Sequence, residues 1–140
     1  MIPEKFHHLK LKILSKEFEY ILFDSNELFL EALKTLSAKS ADYFSFSFQN
    51  ERSLICYKED KNFFFKKSNS EWSGIKIEGD MPFGTVQGLI ATISNTLAEK
   101  DIGICVISTF LTDVFLVKKS NLENTCAILK SQGWIIENCS

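Results

Sequence analysis

Only two prolines and two histidines occur in the 140 residues, and the four cysteines form no C-x-x-C pair. So little proline, in a chain that is 45% hydrophobic, argues against disorder and for one ordinary domain or two small units sharing a core. No apolar run approaches the roughly 18 residues of a membrane span. The N-terminus, Met-Ile-Pro-Glu-Lys-Phe-His-His, lacks the apolar core of a signal peptide. A cytoplasmic protein without membrane contact is therefore expected. The formal net charge is −2, and no lysine-arginine stripe tracks a phosphate backbone, so nucleic acid is not an expected partner. Cys56, Cys105, Cys126 and Cys139 are far apart; Cys105 in an apolar strand and Cys126 on a helix read as small buried hydrophobes, with no disulfide or metal site expected. His7 and His8 are adjacent and point to opposite faces of an extended chain, which reads as a tail and not as a ligand pair. With no nucleophile-base-acid set, phosphate-binding glycine loop or metal-spaced cluster, no catalytic residue, metal or cofactor is expected.

What the chain does contain is alternating strand and helix signals. Leu9–Leu14 and Glu17–Phe23 read as two short strands joined near Ser15-Lys16. Asp24-Ser25 offers an N-cap to a helix carrying Leu28, Leu30, Ala32, Leu33 and Leu36. In Tyr43–Phe48, alternation puts Phe44, Phe46 and Phe48 on one face of a half-buried strand, and Ser53–Tyr57 returns beside it after a turn. Lys58–Ser70 is charged and polar around Phe63-Phe64-Phe65, which reads as a short helix or an edge segment, and as the seam between two halves.

Beyond the seam, Trp72–Ile77 reads as a strand ending at Glu78-Gly79-Asp80. Phe83, Val86, Ile90, Ile93 and Leu97 recur at helical spacing, with Asp80 as N-cap and Pro82 in the first turn. Gly88 falls inside that helix, where it is expected to permit close packing. A hairpin spans Ile104 to Lys118; a helix from about Ser120 carries Leu122, Cys126 and Leu129, stops at Gly133, and leads into a strand at Trp134–Ile136. Strand, helix, strand, strand, helix, strand is the split β-α-β ferredoxin-like order, with helices covering one face of an antiparallel sheet. The first half echoes it. The expected fold is α+β, two ferredoxin-like units occupying residues 1–68 and 69–140, as in a degenerate internal duplication.

Two polar elements of the second half could carry chemistry: the corner Glu78–Thr85 and the hairpin insert Ser108–Asp113. If the two central strands of the unit are parallel, both elements lie at one edge, where a pocket could form. Backbone N–H groups around Phe83–Thr85 would suit a carboxylate. Asp80 and Asp113 could accept from an ammonium, Ser108, Thr109 and Thr112 could add neutral hydrogen bonds, and Gly84 would let a ligand approach closely. Such a pocket suits an α-amino acid. The plainer reading is that Asp80 only caps a helix and that Ser108–Asp113 only stabilises a turn.

The segment W-S-G-I-K-I-E-G-D-M-P-F-G-T-V-Q-G-L-I-A-T-I, and L-A-E-K-D-I-G-I-C-V-I-S-T-F-L-T-D-V-F-L-V-K after it, resembles bacterial ACT-domain proteins of the small tandem type. Those are related to the ACT units of aspartate kinases and of the animal cytosolic arginine sensors. The resemblance covers residues 72–135 well and 9–57 loosely; its most specific pieces are S-T-x-x-T-D-x-x-L-V-K from Ser108 to Lys118 and E-G-x-x-x-F before it. It implies a non-catalytic regulatory module that binds a small molecule, typically an amino acid. It also implies ligand contacts from Gly79, Asp80, Phe83, Gly84 and Thr85 in the corner and from Ser108, Thr109, Thr112 and Asp113 in the hairpin. Phe110 and Val114 stand where the family commonly has tyrosine, so two hydroxyls are missing. The rival reading is a structural or protein-interaction unit whose pocket is silent. A compact monomer, a homodimer and an unknown protein partner all stay open. A ferredoxin-like RNA binder would need sheet aromatics among basic residues, a pattern that is absent.

Overall fold

A computed structural model describes residues 1–80 and 87–138. In chain order its elements are β1 (Lys10–Leu22), α1 (Asn26–Ala38), β2 (Tyr43–Phe48), β3 (Glu51–Tyr57), β4 (Lys67–Glu78), α2 (Leu89–Ala98), β5 (Cys105–Ser108), β6 (Asp113–Lys118), α3 (Leu122–Ser131) and β7 (Ile135–Glu137). The fold is α+β and ferredoxin-like. Packing groups Met1–Ser15 with Ser73–Ser140 as one unit and leaves Lys16–Trp72 as a second.

In the first unit the strand order is β7-β1-β4-β6-β5. Strands β5 and β6 pair antiparallel from Cys105↔Leu116 to Ser108↔Asp113. β7 joins β1 in parallel, Lys10↔Ile135 to Lys12↔Glu137, with an ion pair of 3.3 Å between Lys10 and Glu137. Leu11 and Ile13 of β1, Ile75 and Ile77 of β4, and Phe115 and Val117 of β6 recur at the strand period of two. They form one core with Leu89, Ile93 and Leu97 of α2 and with Cys126 and Leu129 of α3. Those helix positions are three or four apart, as one buried face requires. Phe6, stacked on Trp134 with ring centroids 6.2 Å apart, completes that core.

In the second unit the order is β2-β3-β1-β4. β3 pairs antiparallel with β1 (Phe18↔Tyr57 to Leu22↔Ser53) and with β2 (Tyr43↔Cys56 to Phe48↔Glu51). Gln49 and Asn50, both at positive φ (44° and 66°), make the two-residue connection whose twist matches the flanking strands. Ser25 caps α1 by accepting from the Leu28 N–H at 3.2 Å. Phe29, Ala32 and Leu36 then bury against Ile21, Phe23, Leu54 and Cys56.

Four local expectations are corrected. Leu9–Leu14 and Glu17–Phe23 are not two strands but one, because Ser15-Lys16 contains neither glycine nor proline to turn the chain and stays extended. Strand β4 starts at Lys67, earlier than Trp72, and carries a left-handed residue, Glu71 at φ 67°, within it. Phe46 and Phe48 are 40% and 72% exposed, so that face of β2 is open where it was expected to be half-buried. Gly88 is not inside a helix: it stands at the N-cap of α2 at φ 79°, its carbonyl accepting from the Thr92 N–H at 2.9 Å and hydroxyl at 2.7 Å. The earlier part of the expected helix lies outside the described residues.

A Cβ added at Gly88 would meet nothing within 4 Å. Its role is conformational, since left-handed backbone disfavours any residue with a Cβ. Gly88→Ala is expected to lower stability by about 1–2 kcal/mol and Gly88→Val by more, read by urea unfolding. A stabilising alanine would show that this glycine is not needed for its φ.

Candidate functional site

The hairpin insert is built by the pairing of β5 with β6. Ser108 lies opposite Asp113, and the four residues between them form the connection. Thr109 closes that connection: its N–H donates to the Thr112 carbonyl at 2.8 Å, its hydroxyl donates to the same oxygen at 3.1 Å, and it accepts from the Thr112 N–H at 3.0 Å. A threonine that donates and accepts in this way is locked as a turn element. Ser108 presents its hydroxyl on the surface, Asp113 and Thr112 are half-buried, and Phe110 and Leu111 project at the tip, 73% and 85% exposed. Val114, beside Asp113, is buried.

The corner begins where β4 ends. Gly79 has φ 135°, a conformation that L side chains rarely adopt, and a Cβ there would stand 2.6 Å from Leu9 Cδ2 and 3.3 Å from the His8 carbonyl oxygen. Two independent constraints thus require glycine. Asp80 is exposed, and its carbonyl oxygen lies 3.1 Å from His8 Nε2. His8, read from sequence as a tail residue, is therefore attached to this corner. No spacing in the sequence signals a contact across 72 positions. Asp80 does not cap α2, whose N-cap is Gly88. Phe83, Gly84 and Thr85 lie outside the described residues. Strand β6, which starts at Asp113, is the neighbour of β4, which leads into Gly79 and Asp80.

Two groups of the second unit, Cys56 and Tyr57, have displaced ionisation. Burial pushes the Cys56 thiol up to about 12, and the carboxylates of Asp60 and Glu19 push in the same direction. Burial also raises the Tyr57 hydroxyl, followed by the charge of Asp42, to which that hydroxyl donates at 3.2 Å. A thiol held protonated is not a nucleophile. Among the described residues no group of three or more His, Cys, Asp or Glu could hold a metal ion. No described helix is long and apolar enough to cross a membrane.

Residues 67–131 match the ACT domain family. That span contains β4, the corner, α2, the hairpin and all of α3. Among curated proteins none matches the chain. Among solved structures, an Agobacterium tumefaciens protein is similar over 92% of both chains, with a TM-score of 0.72 and 24% identity. A Vibrio cholerae protein of unknown function is similar over 90% of this chain and 91% of its own, with a TM-score of 0.65 and 15% identity. The regulatory subunit of aspartate kinase from Thermus thermophilus, in a ligand-free form, is similar over 86% and 94%, with a TM-score of 0.62 and 8% identity. At these identities the likeness is one of fold.

Two measurements check these local accounts. Gly79→Ala should cost at least about 2 kcal/mol, more than Gly88→Ala, because strain is added to a clash. The Cys56 thiol is raised from 9.0 to about 12, so its contribution to stability is fully present below pH 9.0 and is lost as pH rises toward 12. Within that window stability should fall by about 1.4 kcal/mol per pH unit more in the wild type than in Cys56→Val. Equal slopes in urea unfolding of the two proteins would remove Cys56 from the alkaline response.

Proposed function

We propose that the ACT domain is a small-molecule sensor, with an α-amino acid as the preferred ligand class, acting in the cytoplasm without chemistry of its own. The observation that carries the reading is that the matched segment, residues 67–131, includes both polar elements. In this reading Gly79, Asp80, Phe83, Gly84 and Thr85 supply one side of the site. Ser108, Thr109, Thr112 and Asp113 supply the other. Asp80 and Asp113 accept from the ammonium, Ser108 adds a hydroxyl, and backbone donors between Phe83 and Thr85 take the carboxylate. Gly79 keeps the corner close to Leu9. Residues 1–68 would be a divergent copy of the ACT unit of residues 69–140.

A second reading, an interaction unit with a silent pocket, is favoured by Thr109, whose hydroxyl already donates and accepts within the turn. Thermal denaturation with the common amino acids separates the two. A ligand present at a hundred times its dissociation constant, binding only the folded state, stabilises by ~2.7 kcal/mol, a shift that is easily read. Asp113→Asn removes the charge and keeps a turn-competent side chain, so it should erase the shift with little change in the unliganded protein. If no amino acid at millimolar concentration shifts the wild type, the sensor reading fails and the silent-pocket reading takes its place; if the wild type shifts and Asp113→Asn responds as its parent does, Asp113 is a turn residue and the sensor reading loses its central contact.

A further inference from the structure

The connection from β3 to β4, residues 58–66, stands where the ferredoxin-like order places a second helix, yet it forms no α-helix. After one 3-10 turn at Lys58–Asp60, the chain from Lys61 to Lys66 is neither helical nor paired as a strand. Phe63-Phe64-Phe65 is therefore neither the short helix nor the edge segment that its sequence suggested. Phe63 and Phe65 pack against the core of this unit, the Phe63 and Phe23 ring centroids lying 5.8 Å apart, while Phe64 between them is 82% exposed. Two rings thus cover a face that a helix would cover with a whole apolar stripe.

What fastens this segment is charge. Among the described residues, five of the seven ion pairs join it to the rest of its unit, so electrostatic contacts are concentrated here. Lys58, Glu59 and Lys61 pair with Glu17, Lys16 and Glu19 of β1 at 3.5–3.7 Å. Asp60 pairs with Lys39 at the end of α1 at 3.0 Å, and Lys66 with Asp24 ahead of that helix at 3.7 Å. Only the Lys61–Glu19 pair has a carboxylate as little as 2% exposed. Exposed pairs are individually weak and are screened by salt, but several acting on one short segment add their effects.

We propose that residues 58–66 form an electrostatic strap, held by ion pairs across the apolar face of the second unit, that opens as one piece with rising ionic strength while the sheet and α1 stay folded. Cys56 is the group that opening uncovers. It lies opposite Glu19 in the pairing of β1 with β3, and Glu19 is the residue that Lys61 of the strap covers. At its far end the strap is tied by the Lys66 N–H, which donates to the Leu22 carbonyl at 2.8 Å. The amide of Lys66 and the thiol of Cys56 therefore report opening from two sides.

Site-resolved thiol labelling and amide exchange of the full chain test the proposal between about 0.1 M and about 1 M KCl, a range in which the screening length falls from ~10 Å to ~3 Å. Salt screens charge and leaves apolar burial intact, so faster opening at high salt reports the ion pairs. Labelling of Cys56 and exchange of the Lys66 N–H should both accelerate at least about fivefold. The Phe23 N–H, which donates to the Arg52 carbonyl at 3.0 Å within the sheet, should stay protected. At low salt, Lys39→Glu should accelerate Lys66 exchange, and Lys39→Glu/Asp60→Lys, which restores an opposite pair, should slow it again. Amide exchange is the readout for these variants because the charge of Asp60 acts on the Cys56 thiol directly. Rates indifferent to salt overturn the proposal. So does Phe23 exchange that rises in step with Lys66, since the whole unit is then unfolding, or a swapped pair that leaves the strap as open as Lys39→Glu alone.

Discussion

The pleat of β1 is the constraint on which the rest of the structure depends. One unbroken strand, Lys10–Leu22, supplies Leu11 and Ile13 to the core of one unit and Ile21 to that of the other, all at odd positions. Because the period is two, the polar residues between them have no freedom to choose a face. Glu17 and Glu19 are carried to the same side as the core residues, and Glu19 is left only 2% exposed. Lys58 and Lys61 answer them, at 3.7 Å from Glu17 and 3.5 Å from Glu19. Removing one partner of a buried pair is far more damaging than the net contribution of the pair suggests, since a charge is then left without water or counterion. The polar turn Lys58–Asp60 and the chain that follows it thus place cations beside the carboxylates of β1.

The same economy of local rules shapes the candidate site. At the corner, Gly79 combines an unusual φ with contact against Leu9 and His8, so the exit of the chain from β4 is fixed by packing as well as by torsion. At the hairpin, Thr109 and Thr112 bond to each other, which holds Ser108 and Asp113 at the strand ends with their side chains uncommitted to the turn's own closure. The Cys56 thiol is displaced in the unreactive direction.

Much of this was legible in the residues. The order of strands and helices in residues 72–136, the cap at Ser25, the buried faces of α2 and α3, and the hairpin from Cys105 to Lys118 follow from periodicity and turn chemistry, which act between near neighbours. The readings that failed share a cause. The break expected at Ser15-Lys16 assumed that polar residues end a strand, whereas without glycine or proline the chain stays extended there. The packing role expected of Gly88 assumed a helix around it, whereas the backbone there turns left-handed before the helix starts. The half-buried face expected of Phe44, Phe46 and Phe48 assumed that alternation implies cover, but alternation specifies only which residues share a face.

By itself, then, the sequence determined the order of strands and helices in residues 72–136, the ferredoxin-like class and the ACT match of residues 67–131, because each is written in spacings of two to four residues or in a contiguous motif. Tertiary structure alone decided that β1 is one strand serving two cores, that His8 reaches the carbonyl of Asp80, and that β2 stands at an edge with two phenylalanines open to solvent. Each of these depends on residues far apart in the chain being brought within a few ångströms, and the energy of such contacts comes from burial and charge pairing that no local spacing encodes.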